Sequence, residues 1–198
     1  MSSFEVYSYF YSLIIKSMAK FYTSITKRLQ SFIEKQKMFF VATAPSNGRI
    51  NLSPKGMDSF RVINENRVLW LNVTGSGNET AAHLLEKNRI TMMFCSFEGA
   101  PNILRLYGKG KEIKPNGADW NDVVSLFPET PGTRQVFDIE IESAQTSCGM
   151  SIPFLKYKGE RNELNDWAEE KGEEGIKEYW KEKNTTSIDG FPTNILDN

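Results

Sequence analysis

A small, mainly antiparallel β-barrel with peripheral helices is the fold class this sequence predicts, on three observations. About six short β-rich runs recur along the chain, most are joined by turns too short for a helix, and helical periodicity is confined to a few segments. A doubly wound parallel sheet is the weaker alternative, because it needs a crossover helix between successive strands. The 198 residues, 39% hydrophobic and 12% aromatic, suffice for one compact domain.

The elements follow in order. Residues 1–17 carry only Glu5 and Lys16 as charges and are crowded with Phe4, Tyr7, Tyr9, Phe10 and Tyr11. They lack the basic start and the cleavage site of a secretory signal. Since Met18-Ala19-Lys20 offers a second start, they are expected to be an extension outside the core. Ile25, Leu29, Phe32 and Ile33 then mark one face of a helix, with Thr23 or Ser24 as N-cap. Residues 38–44 read as a strand, Pro45-Ser46-Asn47-Gly48 as a hairpin turn supplying positive φ, and residues 49–53 as the returning strand. A second hairpin joins residues 60–63 to 68–73 through Asn64-Glu65-Asn66. A glycine-rich stretch leads into a helix reaching about Asn88, and residues 90–97 form a buried strand. Over residues 102–114, Leu104 and Leu106 share one face and Arg105, Tyr107, Lys109 and Lys111 the other, while Gly108 and Gly110 mark a bend or bulge. A short helix over 119–127 ends at Pro128, Pro131 and Gly132. Phe137, Ile139 and Ile141 alternate strictly with Asp138, Glu140 and Glu142, which predicts a sheet edge or outer face. Residues 160–183 are charge-rich, with Leu164, Trp167, Ile176, Tyr179 and Trp180 spaced for helices broken near Gly172 and Gly175.

Several functions are disfavoured. Twenty-four basic residues against 25 acidic ones leave a charge of -1, so no overall field gathers nucleic acid or anionic membrane. The longest apolar runs, such as Met38-Phe39-Phe40-Val41-Ala42, fall far short of the roughly 20 residues of a membrane span, so a soluble protein is expected. Cys95 and Cys148 form no C-x-x-C pair, which argues against a disulfide scaffold or cysteine zinc site and for a reducing, cytoplasmic setting. His83 is the sole histidine, and no H-E-x-x-H, nucleophile elbow or P-loop occurs, so no metal is expected.

One stretch invites a ligand. Val73-Thr74-Gly75-Ser76-Gly77-Asn78-Glu79-Thr80 links a strand to a helix, and unpaired amides at a helix N-terminus, with Ser76, Asn78 and Thr80 as further donors, suit a phosphate. A turn capped by Asn78 with no ligand is the plain alternative. The dinucleotide fingerprint is matched only in part, since Thr80 stands where a third glycine belongs and hairpins precede the loop. Lys55 and Arg105 are candidate counter-charges, unless both are simply solvated. His83 reads as a packed or exposed helix residue. Cys148, in Gln145-Thr146-Ser147-Cys148-Gly149, is either a ligand contact or an inert buried thiol, and Cys95 is core. Trp167, Tyr179 and Trp180 read as helix anchors.

The succession Phe39-Phe40-Val41-Ala42-Thr43-Ala44, Gly48-Arg49-Ile50-Asn51-Leu52-Ser53-Pro54-Lys55-Gly56, Leu69-Trp70-Leu71-Asn72 and Gly75-Ser76-Gly77-Asn78-Glu79-Thr80 resembles the pyridoxamine 5'-phosphate oxidase-like family of FMN-binding split barrels. The resemblance continues through Arg89-Ile90-Thr91-Met92-Met93-Phe94 and Arg105-Leu106-Tyr107-Gly108-Lys109-Gly110 to residues 145–149. It implies an antiparallel split β-barrel, paired as a homodimer with FMN in the cleft between subunits. The division implied is an extension over 1–17, a flavin-binding domain over 18–155 and a helical segment over 156–198 packing on the barrel. Ser53, Pro54 and Lys55 fall where the family sets a strand and a lysine beside the flavin. Gly75, Ser76, Gly77, Asn78, Glu79 and Thr80 fall at its phosphate loop, Asn72 and Thr74 are further implied cofactor-binding residues, and Arg105 lies on a strand passing the cofactor. Gln145, Ser147 and Cys148 are implied substrate or flavin contacts. Pyridoxamine phosphate oxidases carry an Arg/Lys-rich phosphate loop and a C-terminal arginine and histidine cluster, whereas this chain has Gly-Ser-Gly-Asn-Glu and no histidine beyond His83. The resemblance thus implies an FMN-dependent oxidoreductase of open small-molecule substrate, or else a non-catalytic flavin-binding module.

Overall fold

The computed structural model describes residues 19–197, so the extension expected over residues 1–17 lies outside the described residues. In chain order the elements are β1 (Ala19–Tyr22), α1 (Lys27–Ile33), β2 (Phe39–Thr43), β3 (Asn51–Lys55), β4 (Phe60–Asn64), β5 (Arg67–Val73), α2 (Glu79–Glu86), β6 (Ile90–Cys95), β7 (Ile103–Ile113), α3 (Trp120–Val124), β8 (Thr133–Ser147) and α4 (Glu163–Lys183). The fold is mainly antiparallel sheet with few helices, in the strand order β3-β2-β6-β7-β8-β5-β4, and β1 adds to β8.

Aromatic packing shows how this sheet curls. Phe39 on β2 and Phe60 on β4 stand near opposite ends of the strand order, yet their rings meet at 5.0 Å, and Phe94 on β6 lies 5.4 and 5.1 Å from the two. Among the described residues no ladder joins β3 to β4, so the curled sheet stays open along that seam. Inside it, Val41, Trp70, Met92, Leu104, Leu106, Phe137 and Ile139 make a dry core that α1 closes with Leu29 and Ile33. The outer face of β5, Leu69 and Leu71, packs with Val136 beneath Val123 and Phe127. Being buried on both faces explains the unbroken apolar run Val68-Leu69-Trp70-Leu71.

Four expectations change. The N-cap of α1 is Thr26, whose hydroxyl accepts the Leu29 amide at 3.4 Å, and not Thr23 or Ser24. β3 begins at Asn51 because the Arg49 amide is drawn off to the Asp189 carboxylate. The α4 helix breaks at Gly172, where φ is 63° and ψ 175°, but continues through Gly175. β8 is no edge: β7 pairs along one side, while β5 and then β1 pair along the other. Alternation reports which face is buried and says nothing about lateral pairing. The bulge expected near Gly108 is present, since Tyr107 opposes Ser143 and Gly108 opposes Ile141, leaving Glu142 over. That extra residue shifts the inward parity of β8 from Ile141 to Ala144, and both stay buried.

Candidate functional site

A cleft of about 710 Å³ opens between β3, the end of β5, the loop into α2 and the C-terminal segment, within the usual size of small-molecule sites. Thr74 anchors the loop, since its amide and hydroxyl both donate to Gly132 O at 2.8 Å, and its Oγ1 accepts the Trp180 indole N–H at 2.8 Å. Two loop carbonyls are tied back: Gly75 O accepts Asn184 Nδ2 at 3.0 Å, and Gly77 O accepts Arg134 Nη1 at 3.1 Å. Among the described residues no protein acceptor takes the amides of Gly75, Ser76 or Gly77. Asn78 stands at the N-cap of α2 without making a side-chain cap bond; its Oδ1 instead accepts Gln135 Nε2 at 2.7 Å.

Two cations face this loop. Lys55, ending β3, holds its Nζ 5.1 Å from the centre of the Trp70 ring. Burial, reinforced by the charge of Arg134, lowers its ammonium pKa to about 8. Arg134 is only 2% exposed, and burial brings its pKa down to about 10. Glu112 acts on Arg134 electrostatically, but burial pushes that carboxyl up, and no ion pair forms between them. Three buried donors without a partner among the described residues belong to side chains lining the cleft: Trp70 Nε1, Asn78 Nδ2 and Arg134 Nε. Unpartnered donors beside two cations are chemistry suited to an anion. Glu79 also lines the cleft, but its carboxylate is occupied by the Ile188 amide at 3.0 and 3.2 Å.

The structure brings Ser53, Lys55, Asn72, Gly75, Ser76, Gly77, Asn78, Glu79 and Thr80 together around this cleft. Pro54 and Thr74 line a smaller adjoining cavity of about 170 Å³. Arg105, Gln145, Ser147 and Cys148 are not among the lining residues. Arg105 Nη1 donates to Ser147 Oγ at 3.1 Å, and Gln145 Oε1 accepts the Tyr107 hydroxyl at 2.8 Å, so within one chain Arg105 does not share an anion with Lys55. His83 is buried, with Nδ1 3.1 Å from Thr43 Oγ1, as a packed helix residue would be. Trp180 exceeds its expected role as an anchor by reaching the loop. Arg134 and Asn184 escaped the sequence reading. Among the described residues no cluster of three or more His, Cys, Asp or Glu side chains is placed to hold a metal, and no helix is long and apolar enough to cross a membrane.

The two thiols differ as their surroundings dictate: Cys95 is buried, which raises its pKa, and Cys148 is exposed, which removes the buried alternative for it. A disulfide reagent should label Cys148 rapidly and Cys95 only at the rate of unfolding. Equal rates for both would contradict this packing.

A family model described as pyridoxamine 5'-phosphate oxidase matches residues 25–148, more than half of the chain. The chain belongs to the pyridoxamine 5'-phosphate oxidase family. It is 37% identical over 195 residues to the pyridoxamine 5'-phosphate oxidase family protein ustO of Aspergillus flavus, covering 88% of this chain and 78% of that one. Among solved structures, a variant of HupZ from Group A Streptococcus superposes with a TM-score of 0.50 at 20% identity, over 61% of this chain and 97% of that one. A candidate pyridoxamine 5'-phosphate oxidase of Lactobacillus delbrueckii gives 0.50 at 16% identity, over 62% and 94%. At those identities the likeness is one of fold. The oxidase-family stretch contains Lys55, the loop and Arg134, while Trp180 and Asn184 lie beyond it.

Proposed function

We propose that the cleft binds FMN and that the protein is an FMN-dependent oxidoreductase acting as a homodimer. The observation carrying this reading is the pairing of Lys55 and Arg134, two largely buried cations without an ion-pair partner among the described residues, beside a loop whose carbonyls are tied back. A phosphate monoester answers both charges and takes up the loop amides. The residues fit the rest of the cofactor as well, since Leu52 on the exposed side of β3 and Ile50 just before the strand offer apolar surface along the cleft. When bound, the flavin supplies hydride and electron transfer; the protein supplies position and charge. Lys55 is the group here able to hold or release a proton near neutral pH. Arg105, Gln145 and Ser147 lie outside the cleft of their own chain, and a second copy is what would bring them to it.

Purified protein should take up FMN stoichiometrically, turning yellow and quenching flavin fluorescence; failure to bind at micromolar concentration would overturn the reading. Sedimentation showing only monomer with FMN still bound would remove the homodimer. A donor screen with reduced nicotinamide, amines, and pyridoxamine and pyridoxine phosphates separates the two functional classes. Bleaching followed by reoxidation in air supports an oxidoreductase, and inertness across donors leaves a flavin-binding module.

The pH dependence has a definite sign. Lys55 titrates at about 8 in the free protein, and a phosphate beside it favours its charged form. Above that pH, binding must therefore take up a proton, and affinity for FMN falls as pH rises. Below a pH of roughly 6 the phosphate itself loses its second charge. Affinity for FMN is accordingly expected to be greatest between these limits, while affinity for riboflavin stays flat. A rise in FMN affinity between pH 8 and 9.5 would contradict the assignment.

A further inference from the structure

We infer that Asn184, the residue capping the C-terminal end of α4, positions the anion-binding loop, which makes the C-terminal segment part of the cofactor site; the inference rests on the FMN reading above. Asn184 is wholly buried. Its Oδ1 accepts Arg134 Nη1 at 2.6 Å and its Nδ2 donates to Gly75 O at 3.0 Å, while the same Arg134 nitrogen donates to Gly77 O at 3.1 Å. One amide and one guanidinium thus fasten alternate carbonyls of the loop. Only a neutral group that both accepts and donates does this without altering the charge. A carboxylate at 184 would answer Arg134 itself and lose the donor to Gly75.

Backbone geometry does not call for asparagine there. Its φ of -117° lies far from the left-handed region that selects Asn or Gly at helix ends, so its identity is used by its side chain. The residue is itself held in place: its amide donates to Trp180 O at 2.9 Å, and its carbonyl accepts Thr193 Oγ1 at 2.5 Å from a threonine that is also wholly buried. Further on, the Asp189 carboxylate takes both the amide and the guanidinium of Arg49. Independently of these bonds, Arg134 Nε and Asn78 Nδ2 are buried without partners among the described residues, on side chains that line the cleft. These two donors point to a ligand that the Asn184 bridge holds in register.

The test uses the full chain with Asn184→Ala, Asn184→Asp and Thr193→Val, read by hydrogen exchange of the FMN-free protein and by FMN and riboflavin titrations. Asn184→Ala should speed exchange across residues 74–82 and weaken FMN binding about tenfold, with riboflavin changing much less. Asn184→Asp, nearly isosteric but with an acceptor facing Gly75 O in place of the donor, should weaken FMN at least as much. Thr193→Val removes one bond to the Asn184 backbone and leaves the side-chain bridge to Arg134 and Gly75, and should shift the FMN-to-riboflavin ratio by less than Asn184→Ala does. Unaltered exchange in Asn184→Ala, or a shift of that ratio by Thr193→Val as large as by Asn184→Ala, would overturn the inference. If wild-type protein binds no FMN, the proposed function fails, and the exchange arm still decides whether Asn184 positions the loop.

Discussion

Replacing Lys55 with methionine should weaken FMN binding by about ten- to a hundredfold, leave riboflavin nearly unaffected and make the free protein more stable at neutral pH. The first part follows from a charge-assisted bond to phosphate, worth roughly 1.5 to 3 kcal/mol when desolvated. The second follows because riboflavin lacks the group that Lys55 is held to meet. The third comes from linkage: the folded pKa of about 8 lies below the unfolded value of roughly 10.4. The charged ammonium therefore costs stability in full below pH 8, and the cost is relieved as pH rises from 8 toward 10.4. Wild-type stability should climb across that window, and Lys55→Met should flatten the climb. A residue that loses function and gains stability on replacement is the mark of a site built for a ligand. Equal losses for both flavins, or a destabilised variant at pH 7, would move the phosphate away from Lys55.

The fold was largely legible because its information is local. Period-two alternation placed Leu104 and Leu106 inward, Asn47-Gly48 marked a hairpin, and two glycines in one strand marked the bulge. The loop and Lys55 were legible for a similar reason, since glycine between strand and helix and a lysine beside Pro54 are anomalies within a few residues. Arg134 was not. Its parity along β8 matches Val136, Asp138 and Glu140, opposite to the inward Phe137 and Ile139, so alternation assigns it to the outer face where an arginine reads as solvated. What buries it is the C-terminal segment, arriving some 50 residues later through Asn184. Asn184 itself sits in a polar stretch whose composition carries no signal of burial. The available signal was the aromatic pair Tyr179-Trp180, which needed something to pack against. Arg105 shows the converse, a residue conspicuous in its strand that the fold keeps outside the cleft of its own chain.

The largest loss of stability should come from the smallest substitution, Gly108→Ala. A Cβ at Gly108 would lie 2.1 Å from Glu140 O and 3.0 Å from its carbonyl carbon, both backbone atoms of the neighbouring strand. Gly108 has no positive φ, so the requirement is for space, not for a conformation. Relief would mean prising β7 from β8 or moving the bulge by a residue, and moving it would turn either Ile141 or Ala144 out of the core. The cost is about 3 kcal/mol, a fall in Tm of about 6–12 °C for a domain of this size. Gly110→Ala provides the comparison within the same strand. There the new methyl would meet Leu84 Cδ1 at 2.8 Å, the end of a side chain able to rotate, and the lower entropy of the unfolded chain offsets part of the strain. Its net effect should stay within about 1 kcal/mol of the wild type. Urea denaturation of the two variants separates the explanations: similar, small losses would mean that the β7–β8 bulge yields easily, and that close approach of the strands is not what fixes glycine at position 108.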